Sequence, residues 1–315
     1  MSNANQTTTS TSSSTHRLIK SKQGSVKRNE LRGKIVVYSC AILIIVATLA
    51  ITLFLTLKGL QSFVVNGVNV GEFLTGLNWS PSGEGDEIAY GAFPFIFGSF
   101  SITFLAAIFA APLGIGSAIF MTEIAKKWGQ KILQPVIEIL VGIPSVVYGL
   151  IGLTVIVPLI RNHSSGVGFS LLAGMIVVGV MILPTVTSIS ADALKSIPQD
   201  IKDASYGLGA TRWQTIYKVI LPAALPSLAT AVVLGMARAF GEALAVQMVI
   251  GNSKALPESI TDQAATLTSI ITLSMGHTTY GSMHNNLLWS LGLILLVMSY
   301  VFIIIIRFIS SRRKV

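Results

Sequence analysis

The sequence predicts an all-α polytopic membrane protein of six transmembrane helices with both termini in the cytoplasm, on three observations. Of its 315 residues, 52% are hydrophobic and 11% charged, whereas about a quarter of an ordinary soluble domain is charged. Apolar runs cover 35–57, 91–121, 132–160, 168–189, 219–250 and 287–306, each at or above the roughly 20 residues that cross a hydrocarbon core about 30 Å thick. Alternating the connections from a cytoplasmic N-terminus places 18 Lys and Arg inside, leaves Lys58, Arg161 and Lys254 outside, and keeps Arg238 within a span. Loops rich in Lys and Arg stay on the cytoplasmic side, so this asymmetry sets the orientation. The net charge of +9 does not point to nucleic acid, because the basic residues lie in short runs between spans and not on one folded face.

Residues 1–34, a Ser/Thr/Asn-rich stretch followed by scattered Lys and Arg, read as a disordered basic cytoplasmic tail. The run at 35–57 outlasts the roughly 7–15 residues of a signal-peptide core and is expected to remain as an anchor. Cys40 is the single cysteine, so no internal disulfide forms. The external connection 58–90 carries Glu72, Glu84, Asp86 and Glu87, with turn chemistry in "NWSPSGEGDE", and is expected to face water and a partner. Glu138 stands near the start of the third span; it either snorkels or pairs at the interface, or takes part in gating. The Pro and Gly of "GIPSVVYG" either loosen that helix for alternating access or permit close packing.

Between the fourth and fifth spans the chain turns polar, at 196–218. Ser196-x-x-Gln199 and Thr211-x-x-Gln214 read as capping boxes opening two short helices, with Gly207 and Gly209 ending the first. Ile197, Ile201, Ala204 and Leu208 form an apolar stripe on the first helix. Periodicity leaves two readings open: a hairpin packed under the bundle, or a docking element.

In the fifth span Arg238 is the one basic residue far from an end. It stands about 18 Å beyond Pro226 at about 1.5 Å per residue, close to the midplane, with Glu242 at i+4 on the same helical face. The two either neutralise each other and lock helices together, or Arg238 offers donors to an anion while Glu242 balances the empty site. The apolar segment 264–275 is too short to cross and reads as an external or re-entrant helix. His277 and His284 are too few ligands for a metal site, and no catalytic constellation occurs, so the chain does not read as an enzyme.

"DASYGLGATRWQTIYKVILP" resembles the EAA loop of ABC importer permeases. Asp203-Ala204-Ser205, Gly209 and Val219-x-Leu221-Pro222 stand at that loop's spacings, with Asp, Ser and Val in place of Glu, Ala and Ile. The resemblance implies the type I ABC importer permease fold, with the loop as a coupling helix entering a cleft on a separate ATPase. Asp203, Ala204, Gly209, Leu221 and Pro222 would then serve ATPase coupling. No phosphate-binding G-x-x-x-x-G-K-[ST] loop occurs in the chain, so the chain itself is expected to bind no cofactor; ATP and Mg would belong to the partner ATPase.

"YGAFPFIFGSFSITFLAAIFAAPLGIGSAIF", "IEILVGIPSVVYGLIGL", "ILPTVTSISADAL" and "GMARAFGEALAVQMVIGN" narrow the resemblance to PstC-type permeases of phosphate importers. The partners implied are a PstA-type permease, two PstB-type ATP-binding subunits and a PstS-type phosphate-binding lipoprotein, around a multi-pass subunit of the bacterial cell membrane. The shared "RAFGE" implies a translocation role for Arg238 and Glu242. The alternatives are a permease for another oxyanion, sulfate or molybdate, and a self-sufficient secondary carrier.

Overall fold

The computed structural model describes the backbone of residues 7–81, 88–164 and 166–311. The chain forms two compact units, 1–55 and 56–315. The first unit is most of helix α1, Thr7–Val64. Its apolar segment Gly33–Val64 is long enough to cross a membrane, and side chains such as Ile44 and Leu53 remain exposed, as lipid permits on every face. Residues 7–34 are helical where the sequence predicts disorder. Extending a helix already set by an apolar run adds a hydrogen bond per residue without a new nucleation cost, and no proline interrupts that stretch. Residues 1–6 lie outside the described chain.

The second unit continues with α2, Val70–Thr75, capped by Asn69, and a small antiparallel ladder, β1 (Trp79–Ser80) with β2 (Ala89–Tyr90), pairing Trp79 with Tyr90. Glu84, Asp86 and Glu87, between these strands, lie outside the described residues. Then come α3 (Phe93–Ile119), closed by a wide π-type turn at Phe120–Ile124, and α4 (Lys126–Gly142). The third crossing is Ser145–His163, built from α5 (Ser145–Ile151), a π-type turn and α6 (Val157–His163). It is followed by α7 (Leu171–Lys195) and α8 (Gln199–Gly207). The fifth crossing, Arg212–Phe240, joins α9 (Arg212–Thr215) to α10 (Leu221–Phe240) through another π-type turn. The short α11 (Leu244–Val249), α12 (Leu267–Ser274) and the last crossing, α13 (Met283–Ser311), complete the chain.

Six helices among the described residues are long and apolar enough to cross a membrane, matching the expected number, but the third and fifth apolar runs are each interrupted. The run read as 132–160 is two helices, because Pro144 lacks an N–H and forces Ile143 into extended backbone at φ −69°, ψ 128°. Tyr148 bridges the break, donating from its hydroxyl to the Leu140 carbonyl at 2.8 Å. The fifth run, read as 219–250, stops at Phe240. Segment 264–275 yields the eight-residue α12, about 12 Å long at about 1.5 Å per residue and unable to cross.

Small residues let the central helices meet. Gly174 and Gly179 of α7 face Ile102 and Phe109 of α3, where an added Cβ would come within 2.8 and 2.7 Å of side-chain carbons. Such close approach drives association where lipid removes the hydrophobic incentive. At the start of α13, Ser290 donates to the Gly59 carbonyl at 2.6 Å and lies 2.5 Å from the Ser62 hydroxyl, all buried. Nearby, the segment leading into α12 rests on α3 at Gly98, where a Cβ would stand 2.1 Å from the Ala265 carbonyl oxygen. That oxygen is backbone and cannot swing away, so Gly98→Ala is expected to cost about 1–3 kcal/mol of overpacking, seen as a lower Tm of the detergent-purified protein.

Candidate functional site

Two regions draw together the residues that the sequence singles out. The first lies where α10 ends. Arg238 occupies the last turn of α10, where a cation complements the negative helix end. Its Nη1 donates to the Thr185 hydroxyl of α7 at 2.7 Å. Thr185 lies about 21 Å along α7, a helix about 37 Å long at about 1.5 Å per residue, so the guanidinium is held level with the middle of α7, at a helix end and not in a continuous helix. Arg238 is exposed on the surface of the chain. With five donors, it keeps N–H groups for something beyond Thr185.

Glu242 corrects the expectation of an i+4 pair. The helix breaks at Gly241, and Glu242 lies in the gap before α11, where its carboxylate accepts the Ala245 N–H at 3.1 Å. Its carbonyl accepts from the Thr268 hydroxyl of α12 at 2.7 Å. No ion pair joins Arg238 and Glu242 among the described residues, because the break removes the helical spacing that would align them. A glycine followed by an acid inside an apolar run was the available signal for that break. Interrupted helices near mid-depth are where transporters build substrate sites, since freed backbone is tolerated only beside protein or a polar cavity.

Glu138 is not inside the third crossing. It is exposed on α4 and accepts from the Gln134 amide at 3.1 Å. A small cavity of about 50 Å³ collects Glu138 and Gln134 of α4 with Asp192 and Lys195 of α7. His277 and His284 share a separate cavity of about 280 Å³ with Ser282 and Pro81. No cluster of three or more His, Cys, Asp or Glu able to hold a metal occurs among the described residues.

The second region is the polar segment 196–218, a helix, an elbow and a helix. Gly209 takes φ +79° in the elbow, a conformation glycine adopts without strain. The second capping box forms as expected: Gln214 accepts the Thr211 N–H at 2.8 Å, and the Thr211 hydroxyl accepts the Gln214 N–H at 3.3 Å. The first does not, because Pro198 is the N-cap of α8 and Ser196 closes α7, donating to the Ala193 carbonyl at 2.7 Å. Gln199 instead donates to Asp203 at 2.9 Å. Leu221 and Pro222 open α10 directly after the π-type turn Ile216–Ile220, a widening of the helix at the point where proline lacks an N–H to donate to the preceding turn.

Within the expected stripe, Ile197 packs against a core cluster, while Ile201 and Ala204 are exposed and Leu208 is 90% exposed. Tyr206, Trp213 and Tyr217 are exposed beside them. Lys202 and Ser205 point the other way and are buried. So α8 packs on the body of the chain through Lys202 and Ser205 and leaves its apolar face, from Ile201 to Leu208, turned outward. Sequence reasoning missed Thr185, Glu123, Lys202 and Arg212. Lys202 and Arg212 entered only the charge count, although Lys202 falls opposite the apolar stripe.

Residues 110–315 match the family described as binding-protein-dependent transport system inner membrane component. The chain is 66% identical over 300 residues, 95% of its length and 96% of the relative's, to the probable ABC transporter permease protein YqgH of Bacillus subtilis. It is 33% identical to the phosphate transport system permease protein PstC of Pasteurella multocida, over 76% of this chain and 79% of that one. In fold it is similar to a chain of a bacterial ABC transporter involved in the import of the acidic polysaccharide alginate, with a TM-score of 0.61 over 91% of this chain and 99% of that one at 16% identity. A chain of the MetNI methionine ABC transporter in an inward-facing conformation gives 0.52 over 68% of this chain and 94% of that one at 21% identity. With six apolar crossings, the PstC-type motifs and a family match over most of its length, the chain belongs to the binding-protein-dependent transport system inner membrane components: a multi-pass permease of the cytoplasmic membrane, not an enzyme.

Proposed function

We propose that this chain is a translocating subunit of an ATP-driven phosphate importer. The observation that carries the reading is its similarity to PstC proteins over three quarters of its length, joined to the Arg238 guanidinium at a helix break. Phosphate would arrive from a PstS-type binding protein and pass between this chain and a PstA-type permease. Arg238 would offer its fork to phosphate oxygens, with Thr185 fixing the fork's direction. Glu242 would shape the break by capping α11. Two PstB-type subunits would hold ATP and Mg, and α8 would enter one of them with Ile201, Ala204 and Leu208 foremost. Glu138, with Asp192 and Lys195, would lie beside a gate.

The test is uptake of radiolabelled phosphate into proteoliposomes holding all four components, with excess sulfate or molybdate as competitor. The expected result is uptake that needs every component and ATP and is indifferent to the competitors. Competition would replace phosphate by another oxyanion. Uptake by this chain alone, driven by an ion gradient, would overturn the ATP-driven reading in favour of a secondary carrier.

A further inference from the structure

We infer that Lys202 and Glu123 form a strut through which movement of α8 is carried to the end of α3. The inference rests on the reading that α8 docks on an ATPase subunit, and it concerns the opposite face of that helix. Lys202 Nζ lies 2.5 Å from Glu123 Oε1, with the two side chains only 7% and 4% exposed. Glu123 belongs to the π-type turn that closes α3. From the far arm of the elbow, Arg212 donates to the backbone carbonyls of Glu123 and of Ile124, the latter at 2.9 Å. The hydroxyls of Ser205 in α8 and Thr215 in α9 lie 2.9 Å apart and tie the arms together. Both arms of the elbow thus grip one turn of one helix.

The chemistry of the grip matters. For stability alone, a buried ion pair is commonly matched or bettered by apolar side chains of similar volume. An apolar contact resists compression but slides or parts under tension. Separating a buried ion pair instead exposes two uncompensated charges to a low dielectric, so it resists being pulled as well as pushed. A coupling element that must draw a helix back as well as press on it needs this kind of link. From its grip on α3, motion reaches α7, which packs along α3 and carries the Thr185 that holds Arg238.

The test uses the complete complex in proteoliposomes and reads oxyanion imported per ATP hydrolysed. Glu123→Gln and Lys202→Met are expected to lower that ratio about tenfold, the size of one coupling free energy. The apolar pair Lys202→Met with Glu123→Met restores packing and assembly but is expected to show the same loss. The charge-reversed pair Lys202→Glu with Glu123→Lys is expected to recover most of the ratio. A wild-type ratio in the apolar pair would reduce the ion pair to packing and overturn the strut, as would a wild-type ratio in both single variants. If the single variants fail to assemble, the two paired variants decide. Wild-type complex that imports sulfate or molybdate and not phosphate overturns the substrate alone; the strut is then judged by the same ratio with that anion.

Discussion

Arg238→Gln is expected to lower ATP-driven phosphate uptake about a hundredfold in a complex that still assembles. Holding a charged side chain at bilayer mid-depth costs about 2.5–3.5 kcal/mol on insertion scales, yet Arg238 has no ion-pair partner among the described residues, only the Thr185 hydroxyl at 2.7 Å. Glutamine keeps an N–H for Thr185 and removes the charge and the fork. Losing two charge-assisted hydrogen bonds to a passing anion, at about 1.5 kcal/mol each, corresponds to roughly a hundredfold in rate. Uptake would be measured alongside native-gel assembly of the complex. Because Arg238 is on the chain's own surface, removing its charge leaves no unpaired acid behind, and failure to assemble would show a structural role instead. Normal uptake would remove Arg238 from the pathway. Thr185→Val should weaken uptake less, by about tenfold, since it frees the guanidinium from its aim without deleting it.

Leu208→Asp is expected to leave the chain folded and inserted while releasing the ATPase subunits. Leu208 is 90% exposed, and substitutions at such positions usually change stability by no more than about 0.5 kcal/mol. In a docked cleft the same side chain would bury its surface, worth about 1.5–3 kcal/mol, and aspartate would add an unpaired charge to that cleft. Affinity for the ATPase should therefore fall by about a hundredfold or more, read as loss of co-purification with thermal stability of the permease unchanged. Retained co-purification would mean that α8 does not enter the partner.

At Pro144 two local signals compete: a proline-imposed break is short-range chemistry, but continuous hydropathy across 132–160 joins the two sides of it and places Glu138 in the same apolar run. Thr211 and Gln214 were readable because a capping box closes within four residues. Ser196 and Gln199 carry the same spacing, yet Pro198 takes the cap because the packed end of α7 already uses Ser196.

Solvent, number of crossings and the polar segment between them follow from hydropathy and short-range spacing, which are sums over neighbouring residues and need no fold to evaluate. The partners of the charged groups do not. Arg238 meets Thr185 across 53 residues of chain and Lys202 meets Glu123 across 79, and each pairing exists only because packed helices bring those groups together. An isolated charge in an apolar sequence announces that it must be accommodated. Which neighbour accommodates it, and whether any capacity is left for a passing anion, is settled by three-dimensional packing.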